Sequence, residues 1–302
     1  MQTPWGDLEV ADAHVHFFSP NFFLSLASQC QKTPDALESI LGWQFPLQPE
    51  ELAETWVREL DRYGVSRAAL IGSVPGDEHS VTAAMKLDPQ RFYGYFMLDP
   101  TAPDALERVD RALAVGLRGV CLFPAMHRYS IQDGRLKPIL ERIAQHPGAL
   151  AFVHCGVLTV GVRSKLGLPT PFDLRYSNPI DLHAVALQFA NVNFVIPHFG
   201  AGYFRETLMV ADLCPNVYID TSSSNSWVKY QPESLDLTAV FRRALNVVGP
   251  SRLLFGTDSS FFPRGWHAKV FARQVEILQE LGTSEADARQ ILGGNLMRLL
   301  RA

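Results

Sequence analysis

The sequence has no surplus of basic residues, because its 302 residues include 27 Lys and Arg against 31 Asp and Glu. Proteins that bind nucleic acid through its phosphates carry such a surplus or a dense basic run, and the chain has neither. It also lacks a stretch of about 18 consecutive apolar residues, the length that a membrane-spanning helix needs. We therefore expect no nucleic-acid partner and no membrane partner.

Cysteine is scarce, and its positions form no CxxC pair. The four residues are Cys30, Cys121, Cys155 and Cys214. This spacing argues against a structural zinc site and against a redox motif. The N-terminal segment MQTPWGDLEV has neither the basic head nor the apolar core of a signal peptide. We expect a cytoplasmic protein with reduced thiols.

Short apolar runs recur along the whole chain, and most are followed by a segment with helical periodicity. Most runs are too short for helices and are bounded by Gly, Pro, Asn or Asp, which favours buried parallel strands. Hydrophobic residues make up 47% of the chain, which is enough to fill a large core. The runs lie at 8–17, 66–74, 91–98, 117–124, 149–156, 191–199, 216–222 and 252–259.

Amphipathic segments between the runs predict helices. Four of them lie at 49–64, 103–116, 177–190 and 285–300. The alternation predicts an α/β fold, a single (β/α)8 TIM barrel over residues 1–302. An open doubly wound sheet is the alternative, but no GxGxxG follows the first run. Irregular segments at 18–48, 157–177 and 222–232 each follow a strand, so we expect them at the C-terminal face of the barrel, over the active site.

Five side chains at the predicted strand ends carry the candidate chemistry. His14 and His16 alternate on the first strand and so point to the same face. His154 ends the fifth run, His198 the sixth and Asp258 the eighth. A barrel brings these positions around one axis, where three neutral imidazoles and a carboxylate suit Zn²⁺ or another first-row divalent metal. An isolated His in an apolar strand is usually a core residue, but five coincident strand-end positions favour a site.

The residues at these strand ends resemble those of the amidohydrolase superfamily, in its amidohydrolase-related branch, which includes aminocarboxymuconate semialdehyde decarboxylase and pyrone dicarboxylate lactonase. The matching segments are DAHVHFF (12–18), FVHCG (152–156), IPHFGAG (196–202), FGTDSSF (255–261) and GGNLMRLL (293–300). The resemblance implies His14, His16, His154 and Asp258 as metal ligands. It also implies Asp258 and His198 as the catalytic residues, with His198 either binding the metal or transferring protons.

The fourth run departs from the binuclear members of that superfamily, which place a carboxylated lysine there. This run, LRGVCLFP, has no Lys and offers Cys121 or Phe123 as inward positions. We therefore expect one divalent metal ion as the cofactor, with zinc as the leading candidate. Cys121 as a thiolate ligand is the less favoured alternative to a buried packing residue.

Further residues are candidates for supporting roles. Asp12 and Asp220 are placed to orient an imidazole, although a strand-end hydrogen bond to the backbone explains Asp12 equally well. Arginine pairs bidentately with carboxylates, and five arginines that follow strands suggest a small substrate that bears a carboxylic acid, namely Arg128, Arg163, Arg175, Arg205 and Arg264. His127 and Phe17 are further candidates for contact with that substrate; Phe17 suits an apolar, flat pocket.

Two reactions fit this set of residues. The first is hydrolysis of a lactone, amide or ester-like bond by a metal-activated water molecule. The alternative is non-oxidative, metal-dependent decarboxylation of an aromatic or unsaturated acid, a lyase reaction. A barrel that binds a ligand without catalysis is a third reading, which the complete set of metal-binding residues disfavours. The resemblance to the decarboxylase group also implies a homodimer.

Overall fold

Eight parallel strands form the centre of the molecule in a computed structural model that describes residues 1–231 and 235–301. We number these barrel strands β1 to β8. They are β1 (Ala11–Phe17), β2 (Arg67–Gly72), β3 (Phe92–Leu98), β4 (Gly119–Leu122), β5 (Leu150–Val153), β6 (Asn193–Ile196), β7 (Val217–Asp220) and β8 (Leu253–Leu254). Each strand pairs with its neighbour in sequence, so the order around the sheet follows the chain. A small antiparallel hairpin, Gln2–Thr3 with Gly6–Asp7, precedes β1.

Backbone hydrogen bonds between β1 and the segment after β8 close the sheet into a barrel. Ala13 N donates to Phe255 O over 2.8 Å, and His16 N donates to Ser259 O over 2.7 Å. In the reverse direction, Asp258 N donates to His14 O over 3.0 Å. This seam places Asp258 beside the two histidines of β1, so closure of the fold and assembly of the site use the same contacts.

Helices follow the strands and surround the barrel. They are α1 (Pro20–Cys30), α2 (Pro34–Leu41), α3 (Pro49–Tyr63), α4 (Glu78–Leu87), α5 (Ala105–Ala114), α6 (Pro124–His127), α7 (Leu136–Gln145), α8 (Gly161–Lys165), α9 (Ile180–Gln188), α10 (Phe204–Leu213), α11 (Leu237–Val248), α12 (Ala268–Glu280), α13 (Glu285–Arg289) and α14 (Asn295–Leu300). Short 3₁₀ turns lie at Leu174–Tyr176, His198–Gly200, Ser226–Tyr230 and Pro250–Arg252. The predicted (β/α)8 barrel is confirmed. Among the described residues, no helix is both long enough and apolar enough to span a membrane.

The barrel strands bury both of their faces, which is why they read as apolar runs and not as alternating ones. One face packs against the surrounding helices, as the fully buried Val15, Phe96 and Phe194 show. The other face fills the barrel interior with side chains such as Ile71, Tyr95 and Phe152. Cys121 and Phe123 both belong to this interior layer, as the sequence predicted for the fourth strand.

The segment 18–48 is not irregular, because it folds into α1 and α2. Its signals are present in the sequence: Ser19 and Thr33 cap the two helices through their hydroxyls, and a proline opens each helix. A separate apolar cluster holds this pair over the barrel, and Phe23, Leu37 and Trp43 lie at its centre. The segment 157–177 likewise contains α8. Together these elements cover the C-terminal face of the barrel.

Candidate active site

A register shift within β1 turns both histidines toward the barrel axis. Ala11 and Ala13 belong to the interior layer, whereas Val15 and Phe17 pack outward against the helices. The pairing with β2 shifts between Asp12 and Val15, and this irregularity changes which alternate residues face inward. His14 and His16 consequently line the cavity at the C-terminal end of the barrel.

Hydrogen bonds determine which ring nitrogen of each histidine faces the cavity. His14 Nδ1 lies 2.7 Å from Asp220 Oδ2, and a carboxylate in this position requires a proton on Nδ1. His16 Nδ1 lies 2.9 Å from Ser73 Oγ, and that hydroxyl donates to Ile71 O over 3.1 Å. Ser73 therefore accepts from His16 Nδ1. Both rings are left with an unprotonated Nε2.

Three electron-pair donors converge where these nitrogens meet. The two Nε2 atoms are 3.4 Å apart, and Asp258 Oδ1 lies 3.4 Å from His16 Nε2 and 3.8 Å from His14 Nε2. Two imidazole lone pairs and a carboxylate oxygen repel one another unless a cation lies between them. Nitrogen and oxygen donors at this spacing are those that zinc and related divalent metals bind, so the residues fit a metal ion.

His154 and His198 line the same cavity beside this group. The His198 ring centroid is 4.9 Å from that of His14 and 5.4 Å from that of His154. His154 packs on Phe123, and its buried Nδ1 has no hydrogen-bond partner among the described residues. His154 does not belong to the group of closely spaced ligand atoms that His14, His16 and Asp258 form. Its role as a metal ligand stays a prediction.

The end of β5 and the end of β6 approach each other closely, which brings these two histidines together. Gly156 has φ of 79°, and a Cβ atom there would lie 2.1 Å from Gly200 O. Only glycine fits this contact. His198 and Asp258 also have left-handed backbones, with φ of 57° and 61°. Such conformations are strained for residues other than glycine and concentrate at functional sites.

Burial and neighbouring charges shift the pKa values of the site residues in different directions. Burial lowers the pKa of His16, His154 and His198, because it disfavours the charged imidazolium. Burial also acts to lower the pKa of His14, but Asp220 outweighs this effect and the pKa is raised. Burial acts to raise the pKa of Asp258, yet the contact with His16 and the neighbouring imidazoles of His14 and His198 bring it below its usual range. The ionised Asp258 is therefore a ready cation ligand.

Asp12 connects β1 to the segment that carries Asp258. Its Oδ1 accepts from His14 N over 2.9 Å and from Thr257 N over 3.1 Å. Its Oδ2 accepts from Thr257 Oγ1 over 2.5 Å and from Trp266 Nε1 over 2.8 Å. Burial raises the pKa of this carboxyl to about 6. Asp12 thus holds the backbone of His14, whereas Asp220 is the carboxylate that contacts an imidazole.

The cavity has a volume of about 540 Å³ and combines aromatic walls with three cations. Phe18, Phe22, Trp43 and Phe261 form one wall, with Trp43 and Phe261 stacked 3.9 Å apart. Each cation lies over an aromatic ring, and none forms an ion pair with a carboxylate side chain of the described residues. The pairs are Lys165 with Trp43, Lys229 with Tyr230 and Arg264 with Phe261.

The two lysines and the Trp43 wall were missed by sequence reasoning. Lys165 and Lys229 lie in two of the segments predicted over the active site, so their loop position was the available signal. The predicted anion-binding residues were all arginines, and of these Arg264 lines the cavity. Phe18 lines the cavity and Phe17 does not, because strand alternation turns the residue next to His16 away from the barrel axis.

Five predicted substrate contacts do not line the cavity. Arg175 pairs with Asp173 and Arg205 with Glu206, and both arginine side chains are more than 80% exposed, at 81% and 83%. Arg163 donates to Gln29 Oε1 and to Pro169 O. Phe17 is fully buried in the outer core, and His127 is half-buried just beyond β4. Arg128, which donates to Pro171 O, does not line the cavity either, and the substrate-binding roles of these residues stay predictions.

A family match covers almost the whole chain. The family model described as Amidohydrolase matches residues 11–302, from the start of β1 to the C-terminus. A curated relative, Protein fluG of Emericella nidulans, is 34% identical over 91 residues. That alignment covers 30% of this chain and only 10% of the relative, so it spans about a tenth of the relative's length.

Solved structures share the fold at low sequence identity. An uncharacterized TIM-barrel protein of Bordetella bronchiseptica has a TM-score of 0.67 at 22% identity, covering 97% of this chain and 98% of that one. A protein of Pseudomonas putida described as a 2-pyrone-4,6-dicarboxylic acid hydrolase has a TM-score of 0.58 at 22% identity, with the same coverage. An amidohydrolase of Burkholderia multivorans with bound zinc has a TM-score of 0.58 at 15% identity, covering 97% and 99%. These likenesses establish the fold.

Proposed function

The chain belongs to the amidohydrolase family, and on that premise we propose that it is a metal-dependent hydrolase of a small substrate that bears a carboxylate. The bond cleaved is of the lactone, amide or ester type. One observation carries the proposal: the Nε2 atoms of His14 and His16 and the Asp258 carboxylate converge at the base of a cavity that three cations line. A metal-binding group and an anion-binding wall in one cavity suit such a substrate.

The cofactor we propose is one divalent ion, with zinc as the leading candidate. His14, His16 and Asp258 would hold it, and His154 would be a further ligand. A metal ion bound there would supply a Lewis acid that polarises a carbonyl and lowers the pKa of water toward about 7. The absence of a lysine on β4 supports a single ion. A zinc-bound amidohydrolase of Burkholderia multivorans shares this fold.

Asp258 and His198 are the proton-transfer groups in this proposal. Asp258 is ionised, 34% exposed in its side chain and at the cavity surface, so it can accept a proton from a water molecule. His198 lines the same cavity 4.9 Å from His14, measured between ring centroids, and can act on the other side of the reacting bond. Two titratable groups in different environments suit the roles of base and acid.

Lys165, Lys229 and Arg264 are the substrate-binding residues that we propose, because they line the cavity. Arg163, Arg175 and Arg205 do not line it. An ammonium or guanidinium that stacks on an aromatic ring keeps its charge available for a carboxylate. The parallel rings of Trp43 and Phe261 favour a flat substrate against that wall.

Decarboxylation is the second candidate, and the position of Arg264 favours it. Arg264 Nη2 donates to Asp258 O over 3.2 Å and to Ser260 Oγ over 2.8 Å, so its guanidinium lies beside the metal-binding group. A guanidinium in this position can hold a carboxylate next to the metal, as a decarboxylase requires. We propose a homodimer from the resemblance to the decarboxylase group, and a cytoplasmic location because the four cysteines are free thiols.

Metal analysis and a substrate screen test the proposal together. Purified protein should contain about one divalent ion per chain, and activity lost to a chelator should return with zinc. Lactones, amides and unsaturated acids that carry a carboxylate are then screened, with release of CO₂ followed in parallel. Hydrolysis without CO₂ supports the first candidate, and CO₂ release supports the second. A protein that binds no divalent metal contradicts both.

A further inference from the structure

The hydroxyl of Ser222, directly beyond β7, lies between two histidines of the site. Ser222 Oγ is 3.0 Å from His14 Nδ1 and 2.9 Å from His198 Nδ1. Ser222 is fully buried, and no other hydrogen-bond partner of its hydroxyl occurs among residues 1–231 and 235–301. The orientation of the hydroxyl proton therefore decides which of the two rings accepts a hydrogen bond from Ser222.

The direction of this hydrogen bond follows from the partners of His14. Its Nδ1 carries a proton because Asp220 Oδ2 lies 2.7 Å away. A protonated Nδ1 cannot accept, so the Ser222 hydroxyl cannot donate to His14 and can only share the proton that His14 Nδ1 donates to Asp220. The single acceptor left for the Ser222 proton is His198 Nδ1. Asp220 itself is held by Ser222 N, which donates to Asp220 Oδ1 over 2.7 Å.

We propose that Ser222 is a positioning residue that holds the neutral His198 ring in its Nε2–H form, so that His198 presents a proton donor to the cavity. His14 Nδ1–H donates to Asp220 Oδ2 and faces Ser222 Oγ, and the Ser222 hydroxyl donates its own proton to His198 Nδ1. The competing arrangement has His198 Nδ1 donating to Ser222 O, but that distance is 3.4 Å, at the long limit for such a bond.

This arrangement gives the two proton-transfer groups different roles. The catalytic part of this inference rests on the proposed function. Asp258 accepts a proton, whereas His198 Nε2–H donates to a developing oxyanion or to a leaving group. An Nε2 atom that carries a proton is not a metal ligand. Of the two roles that the sequence left open for His198, the geometry therefore favours proton transfer over metal binding.

Nitrogen NMR of metal-free protein with ¹⁵N-labelled histidine tests the tautomer without any substrate. The His198 signals are identified by their loss in His198→Gln. At a pH where the ring is neutral, we expect a protonated Nε2 and an unprotonated Nδ1 in the unaltered protein. A protonated Nδ1 in that protein overturns the proposal.

Three variants of serine residues test the assigned cause. Ser222→Ala should move the His198 proton to Nδ1, with Ser222→Thr keeping the original form because it keeps the hydroxyl. Ser226→Ala is the matched control, since it removes a hydroxyl from the same cavity wall without a contact to His198. Retention of Nε2–H in a folded Ser222→Ala variant overturns the role of Ser222.

A further measurement separates this proposal from the proposed function. Metal content should be unchanged in Ser222→Ala, while kcat on any substrate found should fall about 10-fold to 100-fold with little change in KM. A correct tautomer in a protein that hydrolyses nothing contradicts the proposed function alone. An Nδ1–H tautomer in an active hydrolase contradicts the Ser222 proposal alone.

Discussion

The two sides of the histidine cluster are held in different ways. On the β1 side, His14 and His16 each have a hydrogen-bond partner on Nδ1, Asp220 and Ser73 respectively. On the β5 side, His154 Nδ1 is buried and has no hydrogen-bond partner in residues 1–231 and 235–301, and the ring is placed by packing on Phe123. Hydrogen bonds fix both the tilt and the tautomer of an imidazole, whereas packing fixes only its plane. The β1 side is thus organised before metal binds, and the β5 side is free to adjust.

The largest effect should come from removing a nitrogen donor on the organised side. His16→Ala should lower zinc affinity more than about 100-fold, because it deletes one of three converging donors. Isothermal titration of metal-free protein with zinc measures this change. His79→Ala is the control, since His79 is a histidine 66% exposed outside this cavity. Equal zinc binding in His16→Ala and the control would show that the metal site lies elsewhere.

Removal of the buried Asp12 carboxylate of β1 should cause the largest loss of stability. Asp12→Ala leaves four buried donors without their acceptor, namely His14 N, Thr257 N, Thr257 Oγ1 and Trp266 Nε1. We expect the free energy of unfolding to fall by about 3 kcal/mol. Urea titration measures it, with Glu107→Ala, at an exposed helical ion pair, as a control that changes by less than about 0.5 kcal/mol. A loss no larger than that of the control would contradict a structural role for Asp12.

The Asp220–His14 contact should have a smaller effect, on metal affinity. Asp220→Asn removes the charge that orients His14, and loss of such a partner lowers metal affinity about 10-fold to 100-fold. Competition with a chromogenic chelator measures this affinity. Asp173→Asn removes a carboxylate that contacts Arg175 and does not line the cavity, so zinc affinity should not change in this control. A similar loss in both variants would point to a general effect of charge.

The smallest effect distinguishes the adjustable side. His154→Phe replaces a ring with an unpartnered buried Nδ1 by one that packs on Phe123 without a polar atom. In metal-free protein we expect the free energy of unfolding to rise by about 1 kcal/mol. His14→Phe should instead destabilise the protein, because it strips a hydrogen-bond partner from Asp220. Thermal unfolding of both variants with a chelator present compares the two sides, and destabilisation by His154→Phe would mean that this side is organised too.

Much of the barrel was readable from the chain because its strands are short, apolar and separated by helical periods. Each of the eight strands lies within a predicted run, and α3 was predicted at 49–64 against an observed Pro49–Tyr63. The helices α1 and α2 were not predicted, although Ser19 and Thr33 marked their starts. The family match over residues 11–302 agrees with the resemblance carried by the strand-end residues.

The substrate-facing residues were harder to predict, because loops lack the regular periodicity from which the orientation of a side chain can be inferred in a helix or strand. Arg175 and Arg205 find acidic neighbours within two positions in sequence, and those neighbours hold them at the surface. Lys165 and Lys229 lie over rings that come from other parts of the fold or from the adjacent residue. Of the two lysine pairings, only Lys229 with Tyr230 is local in sequence.

The barrel and the residue types at its strand ends follow from the sequence alone, because the spacing of apolar residues and the alternation of side chains along a strand are local properties of the chain. Which atoms face one another depends on the tertiary fold. Asp220, 206 positions away, sets the protonated nitrogen of His14, and Ser222 links that ring to His198. The direction of a hydrogen bond depends on what both partners already donate and accept. That balance exists only once strands distant in sequence have closed around one axis.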